Sequence, residues 1–216
     1  MVKKIFLTLI FAFLFSLCKS QYFQNINLSN GLSQPSVMAI SQDALGRMWF
    51  GTREGINIYD GAKITSFKGE IANGKSQKIW IGNEISYIVK GENADWNKIF
   101  FISDFSLYSF DIRTNFFTQI ETQKNVTAIL YHDNKLFYAQ NNNIFSYDSK
   151  SNKRSIYKIL PEGTIINTIL MADNCLYVGT RSGVVISPLN AIWEETNLLF
   201  GEDIYRIFRD SRKIYG

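Results

Sequence analysis

The groups able to do chemistry are sparse in this chain. It has one histidine, His132, and two cysteines, Cys18 and Cys175, in 216 residues. That stock is too small for a His/Cys zinc cluster or a disulfide framework. His132 precedes Asp133 and Asn134 in a turn-like run, with no Ser or Cys partner for nucleophilic catalysis, and reads as a surface polar residue. Cys175 lies in the apolar run Asn174 to Val178 and reads as a small buried hydrophobe. Glycoside hydrolysis needs two facing carboxylates, whereas Asp104, Glu121 and Glu162 are scattered. Asp43 and Asp60 fall in turns, where an Asp caps its own backbone. The run Gly51 to Gly55 lacks the spacing of a dinucleotide-binding loop. The expectation is a non-enzymatic chain with no catalytic residue, metal or cofactor.

The first residues read as an address. Lys3 and Lys4 lead into thirteen residues, Ile5 to Leu17, that are apolar except for Thr8 and Ser16. A bilayer-spanning helix needs about 20 such residues. The basic start, short apolar stretch and small residue fit a signal peptide over 1–20, cleaved after Ser20. Lipidation at Cys18 and a retained anchor remain alternatives. Cleavage removes Lys3, Lys4 and Lys19 and leaves 20 basic against 19 acidic residues, so the +4 net charge of the whole chain falls to +1. A composition argument for a nucleic-acid partner disappears with it.

The elements that must position any site repeat along the chain. Similar segments start at Val37, Ile85, Val126, Ile166 and Ile204, spaced by about 40 residues, which is the period of a propeller blade. In the first, Val37 to Ile40 is a strand and Asp43 to Gly46 a turn. Met48-Trp49-Phe50 is an aromatic strand, Thr52 to Gly55 a turn, and Ile56, Ile58 and Tyr59 form a half-buried strand before the hairpin signal Asp60-Gly61. Asp111 and Asp148 close the corresponding strands of the next two units. Trp49 in its strand is a packing residue. Beyond the leader, only Ala191 to Leu199 could form a short helical turn.

The stretch Gly31 to Gly61 resembles the two-component-regulator propeller repeats of the extracytoplasmic sensors of Bacteroidetes-type hybrid two-component systems. The matching residues are Gly31-Leu32-Ser33, Val37, Ile40, Asp43, Gly46, Trp49, Gly51-Thr52, Gly55 and Tyr59-Asp60, with Ile56 where Leu is usual. The fourth unit matches through Gly179-Thr180 and Gly183. The second and third are degenerate, with Phe100 and Phe137 in place of Trp49 and Ser103 and Gln140 in place of Thr52.

The resemblance implies an all-β propeller of four-stranded blades, with about four and a half blades forming a partial ring. Its units are 37–69, 85–120, 126–159, 166–201 and the start of another at 204–216, within a sensor region of 21–216. A small closed ring, completed by Tyr22 to Leu28 pairing with Ile204 to Gly216, is the alternative. The implied function is periplasmic ligand sensing by the N-terminal fragment of a membrane-anchored two-component receptor. A secreted binding or assembly module and a glycan-active propeller enzyme are the other readings. Expected partners are an oligosaccharide, the remaining blades and output domains of the same receptor (a histidine kinase could be one) and a second copy in a homodimer, but no nucleic acid. Loops between second and third strands, and between blades, gather on one propeller face. Arg53, Glu54, Arg181 and Ser182 are the ligand-face candidates, with Asp104, Asn141 and Asn142 beside them; Arg53 and Arg181 stand at equivalent positions and could pair with a carboxylate or sulfate.

Overall fold

The computed structural model describes residues 25–189, 196–210 and 213–215. The expected leader, its cleavage point and Cys18 lie outside the described residues, as does Gly216. Four antiparallel four-stranded sheets follow one another along the chain. Sheet 1 holds β1 (Val37–Gln42), β2 (Met48–Thr52), β3 (Gly55–Tyr59) and β4 (Ile64–Phe67). A two-stranded hairpin follows, β5 (Glu70–Asn73) and β6 (Gln77–Trp80). Sheet 2 is β7 (Ile85–Lys90), β8 (Lys98–Ser103), β9 (Ser106–Asp111) and β10 (Phe116–Glu121). Sheet 3 is β11 (Val126–His132), β12 (Lys135–Gln140), β13 (Asn143–Asp148) and β14 (Lys153–Ile159). Sheet 4 is β15 (Ile166–Ala172), β16 (Cys175–Thr180), β17 (Gly183–Pro188) and β18 (Thr196–Phe200), and a second hairpin, β19 (Phe208–Asp210) and β20 (Lys213–Tyr215), comes last.

Two expectations need correction. Thr196–Phe200 is a strand paired to β17 rather than part of a helical turn, because edge pairing satisfies its backbone. Of the N-terminal segment proposed as a closing strand, the described residues 25–28 contain no strand; Leu28–Asn30 form a 3-10 turn capped by Asn27. The hairpin β5–β6 was not anticipated. It accounts for the long first interval of the repeat, since it is inserted between sheets 1 and 2.

The core lies between sheets rather than within one. Side chains alternate across a strand, and β8 shows the result. Phe101 joins Trp49, Ile56, Ile85 and Phe110 between sheets 1 and 2. Its neighbours Phe100 and Ile102 join Val126, Leu136 and Tyr138 between sheets 2 and 3. On β12, Phe137 and Ala139 turn the other way and meet Ile166, Leu176 and Val178 of sheet 4. Middle strands are therefore apolar on both faces, whereas the outer strand β14 is almost wholly exposed.

The first strands sit innermost: β1 packs against β7, β7 against β11, and β11 against β15. Each carries a bulge at its second residue, Met38, Ser86, Thr127 or Asn167. A bulged residue is left out of the ladder. Two of the freed carbonyls are used across the centre: Asn167 O accepts from the Tyr87 hydroxyl at 2.7 Å, and Ser86 O from Arg206 at 3.3 Å. The Arg206 guanidinium also lies 3.9 Å over the Tyr87 ring.

Candidate ligand face

The turn after each second strand is built alike in sheets 1 and 4. The Thr52 hydroxyl donates to Gly55 O and accepts the Glu54 N–H; the Thr180 hydroxyl donates to Gly183 O and accepts the Ser182 N–H. Both threonines are buried, and the two residues between each Thr and Gly project outward, exposed. Gly55 and Gly183 have φ of 104° and 127°, which only glycine adopts without strain. Gly51 and Gly179 are glycines for another reason. A Cβ at Gly51 would stand 2.7 Å from Ile85 Cγ2, and one at Gly179 would stand 2.8 Å from Ile204 Cγ2. The next unit's first residue fills the notch each glycine leaves.

Backbone hydrogen bonds join these turns to the linkers entering their own unit or the next. Gly55 N donates to Asn83 O, Asp104 N to Glu84 O, Val126 N to Phe105 O, Asn141 N to Asn125 O, Arg181 N to Ile165 O, and Ile204 N to Thr180 O. Second-to-third-strand turns and linkers thus share one end of the structure, and first-to-second and third-to-fourth turns share the other. Arg53, Glu54, Arg181 and Ser182 all lie on the first end. The structure places them on separate sheets, 1 and 4, and does not join them in one cavity. Glu54 forms an exposed ion pair with Lys68 at 3.2 Å. Tyr205 lies near Arg181, and its hydrogen bond to Asp203 pushes the exposed Tyr205 hydroxyl up. Lys68, Asp203 and Tyr205 were missed in the sequence because their positions carry no residue of the repeat signature.

Three further candidates are committed to structure. The Asp104 carboxylate accepts the N–H groups of Asn83 and Glu84 at 3.1 and 3.0 Å. Asn142 donates to Leu160 O at 2.7 Å, and Asn141 accepts from Asn125 at 3.2 Å. These clasps tie turn to linker.

The opposite end holds two buried acids, Asp43 and Asp95, whereas Glu121 lies at the linker end of β10. Asp43 is closed to solvent and accepts from the Leu45 and Arg47 N–H groups, Arg47 Nε at 2.7 Å and Trp49 Nε1 at 2.9 Å. That one carboxylate ties the turn through Gly46 to the aromatic strand. Asp95 reaches from sheet 2 to sheet 3, accepting from Tyr131 at 3.0 Å and from Ser149, with Lys98 3.0 Å away. Burial, and after it the Asp95 hydrogen bond, pushes the Tyr131 hydroxyl well above its ordinary range. Glu121 is likewise buried and holds Arg154 and Tyr138 of sheet 3. Every one of these acids is saturated by partners within or between sheets, an arrangement suited to locking rather than to proton transfer. Among the described residues, no group of three His, Cys, Asp or Glu could hold a metal, and no helix is long and apolar enough to cross a membrane.

Residues 31–54 match the family model described as Two component regulator propeller. A 61-residue stretch is 41% identical to "Histidine kinase P4" of Formosa agariphila, covering 26% of this chain and 4% of that protein. The fold is similar to the extracellular domains of two proteins of B. thetaiotaomicron described as hybrid two component systems. The first has a TM-score of 0.71 and 23% identity over 87% of this chain and 28% of that one. The second has a TM-score of 0.67 and 17% identity over 88% of this chain and 26% of the other. The chain therefore spans about a quarter of these solved chains and a small part of the kinase. The first two strands of sheet 1 thus match a Two component regulator propeller model, and the chain has a propeller-like fold similar to that of the extracellular domains of two hybrid two component systems.

Proposed function

We propose that this chain is a non-catalytic, extracytoplasmic ligand-sensing module, the N-terminal part of a longer two-component receptor whose blades continue the series of sheets into a ring. The observation that carries this reading is the fold likeness over 87% of the chain to the extracellular domain of a hybrid two component system. The saturated state of the buried acids favours a binding role over an enzymatic one. The ligand is an oligosaccharide or another nutrient-derived molecule, met at the end where turns and linkers gather. Arg53 and Arg181 project there from identical Thr-capped turns, and Tyr205 supplies an exposed aromatic face beside Arg181. Output domains of the same receptor, and a second copy of it, are the partners through which binding would be relayed.

The test is a panel of oligosaccharides, acidic members included, titrated calorimetrically against the whole receptor. Binding by at least one, weakened tenfold or more by the Arg53→Ala, Arg181→Ala double change, is expected. Undiminished binding by the double variant would remove the ligand from this face. Sugar turnover by the chain itself, lost on changing an Asp or Glu, would replace sensing with catalysis.

A further inference from the structure

Each unit opens on two apolar residues three apart. The first is Val37, Ile85, Val126, Ile166 or Ile204, and the second is Ile40, Ile88, Ile129, Ile169 or Ile207. In sheets 1 to 4 the bulge after the first residue puts both on one face of the strand. That face is turned toward the preceding unit. Ile85 and Ile88 pack with Trp49 of sheet 1, and Val126 and Ile129 with Phe100 of sheet 2. Ile166 and Ile169 pack with Phe137 of sheet 3, and Ile204 and Ile207 with Tyr177 of sheet 4. In these four units the first residue is 6% exposed or less and the second 9% or less. Among the described residues no unit precedes sheet 1, and there Val37 is 37% exposed and Ile40 59%.

The receiving surface is as constant as the pair it receives. Trp49, Phe100, Phe137 and Tyr177 are all aromatic and all on second strands. Two places after each, on the same face, stands Gly51, Ile102, Ala139 or Gly179, which meets the first residue of the next unit. Four interfaces in one chain thus share one design, in the nearest-neighbour manner of repeat arrays.

The outer half of the bare face of sheet 1 is already closed by the chain itself. Asn57 stands where sheets 2, 3 and 4 have Tyr108, Phe145 and Val185. Its Oδ1 accepts the Ser33 N–H and its Nδ2 donates to Ser33 Oγ, both at 2.9 Å. Ser66 Oγ donates to the same Oδ1 at 2.6 Å, and Leu32 is buried beside this clasp. An occupant therefore meets only the inner half, where Val37, Ile40 and the half-buried Phe50 lie.

We propose that this inner half docks on a further unit of the same receptor, one whose second strand carries an aromatic residue and, two places on, a Gly, Ala or Ile that receives Val37. The inference rests on the longer-receptor reading given above. A second copy of this chain is a poorer occupant, because its four surfaces of this kind are each filled by its own next unit. The test is maleimide labelling of Ile40→Cys, read at that position by peptide mass spectrometry, in this chain alone and in the whole receptor in detergent. Labelling should be at least tenfold slower in the receptor, in its monomer as in any dimer. Ile40→Asp should lower the melting midpoint of the receptor's propeller by about 4 °C or more and leave that of this chain unchanged, since position 40 is open there. Equal labelling rates in the two proteins, protection confined to dimers, or equal destabilisation of both by Ile40→Asp would overturn the proposal. A receptor that answers its ligand but labels as fast as this chain sinks the docking and leaves the sensing reading intact. A protected receptor that answers no ligand does the reverse.

Discussion

Three aspartates close the third strands of sheets 1, 2 and 3 in the same manner. Oδ1 of Asp60 accepts from Ala62 and Lys63 N–H, that of Asp111 from Arg113 and Thr114, and that of Asp148 from Lys150 and Ser151. These backbone donors hold the carboxyls of Asp60 and Asp148 below their ordinary value. Partial burial pushes Asp111 up, but Thr114, Arg113 and Asn97 together outweigh it and leave it lowered as well. A carboxyl with a depressed folded-state pKa stabilises the fold fully above its unfolded value of 3.8, and that contribution is lost as pH falls through the folded value. Melting temperature should therefore hold steady above about pH 5 and drop below pH 4, and Asp111→Asn should blunt the drop; an unchanged acid profile in thermal melts would contradict this. The turn role of Asp60 was legible because a short acid before Gly favours a tight reversal. The four-fold coordination of Asp43 was not. Its link to Trp49 needs the strand geometry that brings residues six apart together.

At the scale of elements, the sheets were legible and the hairpin was not. Strands such as Lys98–Ser103 announce themselves by continuous apolar character, and turns by Gly, Asn and Asp. Glu70–Asn73 and Gln77–Trp80 are mixed in polarity and sit in a linker, so only the docking of Asn73 on Phe117 reveals their purpose. Asn73→Ala would leave a buried N–H and a buried C=O without partners. The cost should be about 2–3 kcal/mol, read by urea unfolding, and trypsin should cut faster at Lys75. Stability within ~0.5 kcal/mol of the parent would mean that the hairpin is held by Ile71 and Ile79 instead.

At the scale of the whole molecule, the two ends of the series differ from its middle. Val37, Met38, Ile40 and Leu45 of sheet 1 are exposed, as are Tyr205, Phe208 and Tyr215 after sheet 4. Interior sheets bury the corresponding surfaces against neighbours. Patches of this kind mark interaction sites or aggregation hazards. The chain alone should bind a hydrophobic dye such as ANS at native pH, and a longer form with further blades should not. A sharp cooperative melt without dye binding would mean that these surfaces find cover within the chain. The candidate ligand face is visible in sequence only at this scale, since Arg53 and Arg181 are ordinary turn residues until the repeat aligns them.

The notch at Gly51 and the residue that fills it carry a further consequence. Most locks between sheets join a unit to the one made immediately after it: Ile85 into Gly51, Val126 N–H onto Phe105 O, Asp95 onto Tyr131. Assembly can therefore keep pace with synthesis, each unit completed by the arrival of the next unit's first strand, in the stepwise way of repeat arrays. The Tyr87 staple to Asn167 and Arg206 must wait. The order of the chain is also a timetable, and a stall after sheet 3 would leave a stable, correctly registered intermediate with its centre still unfastened.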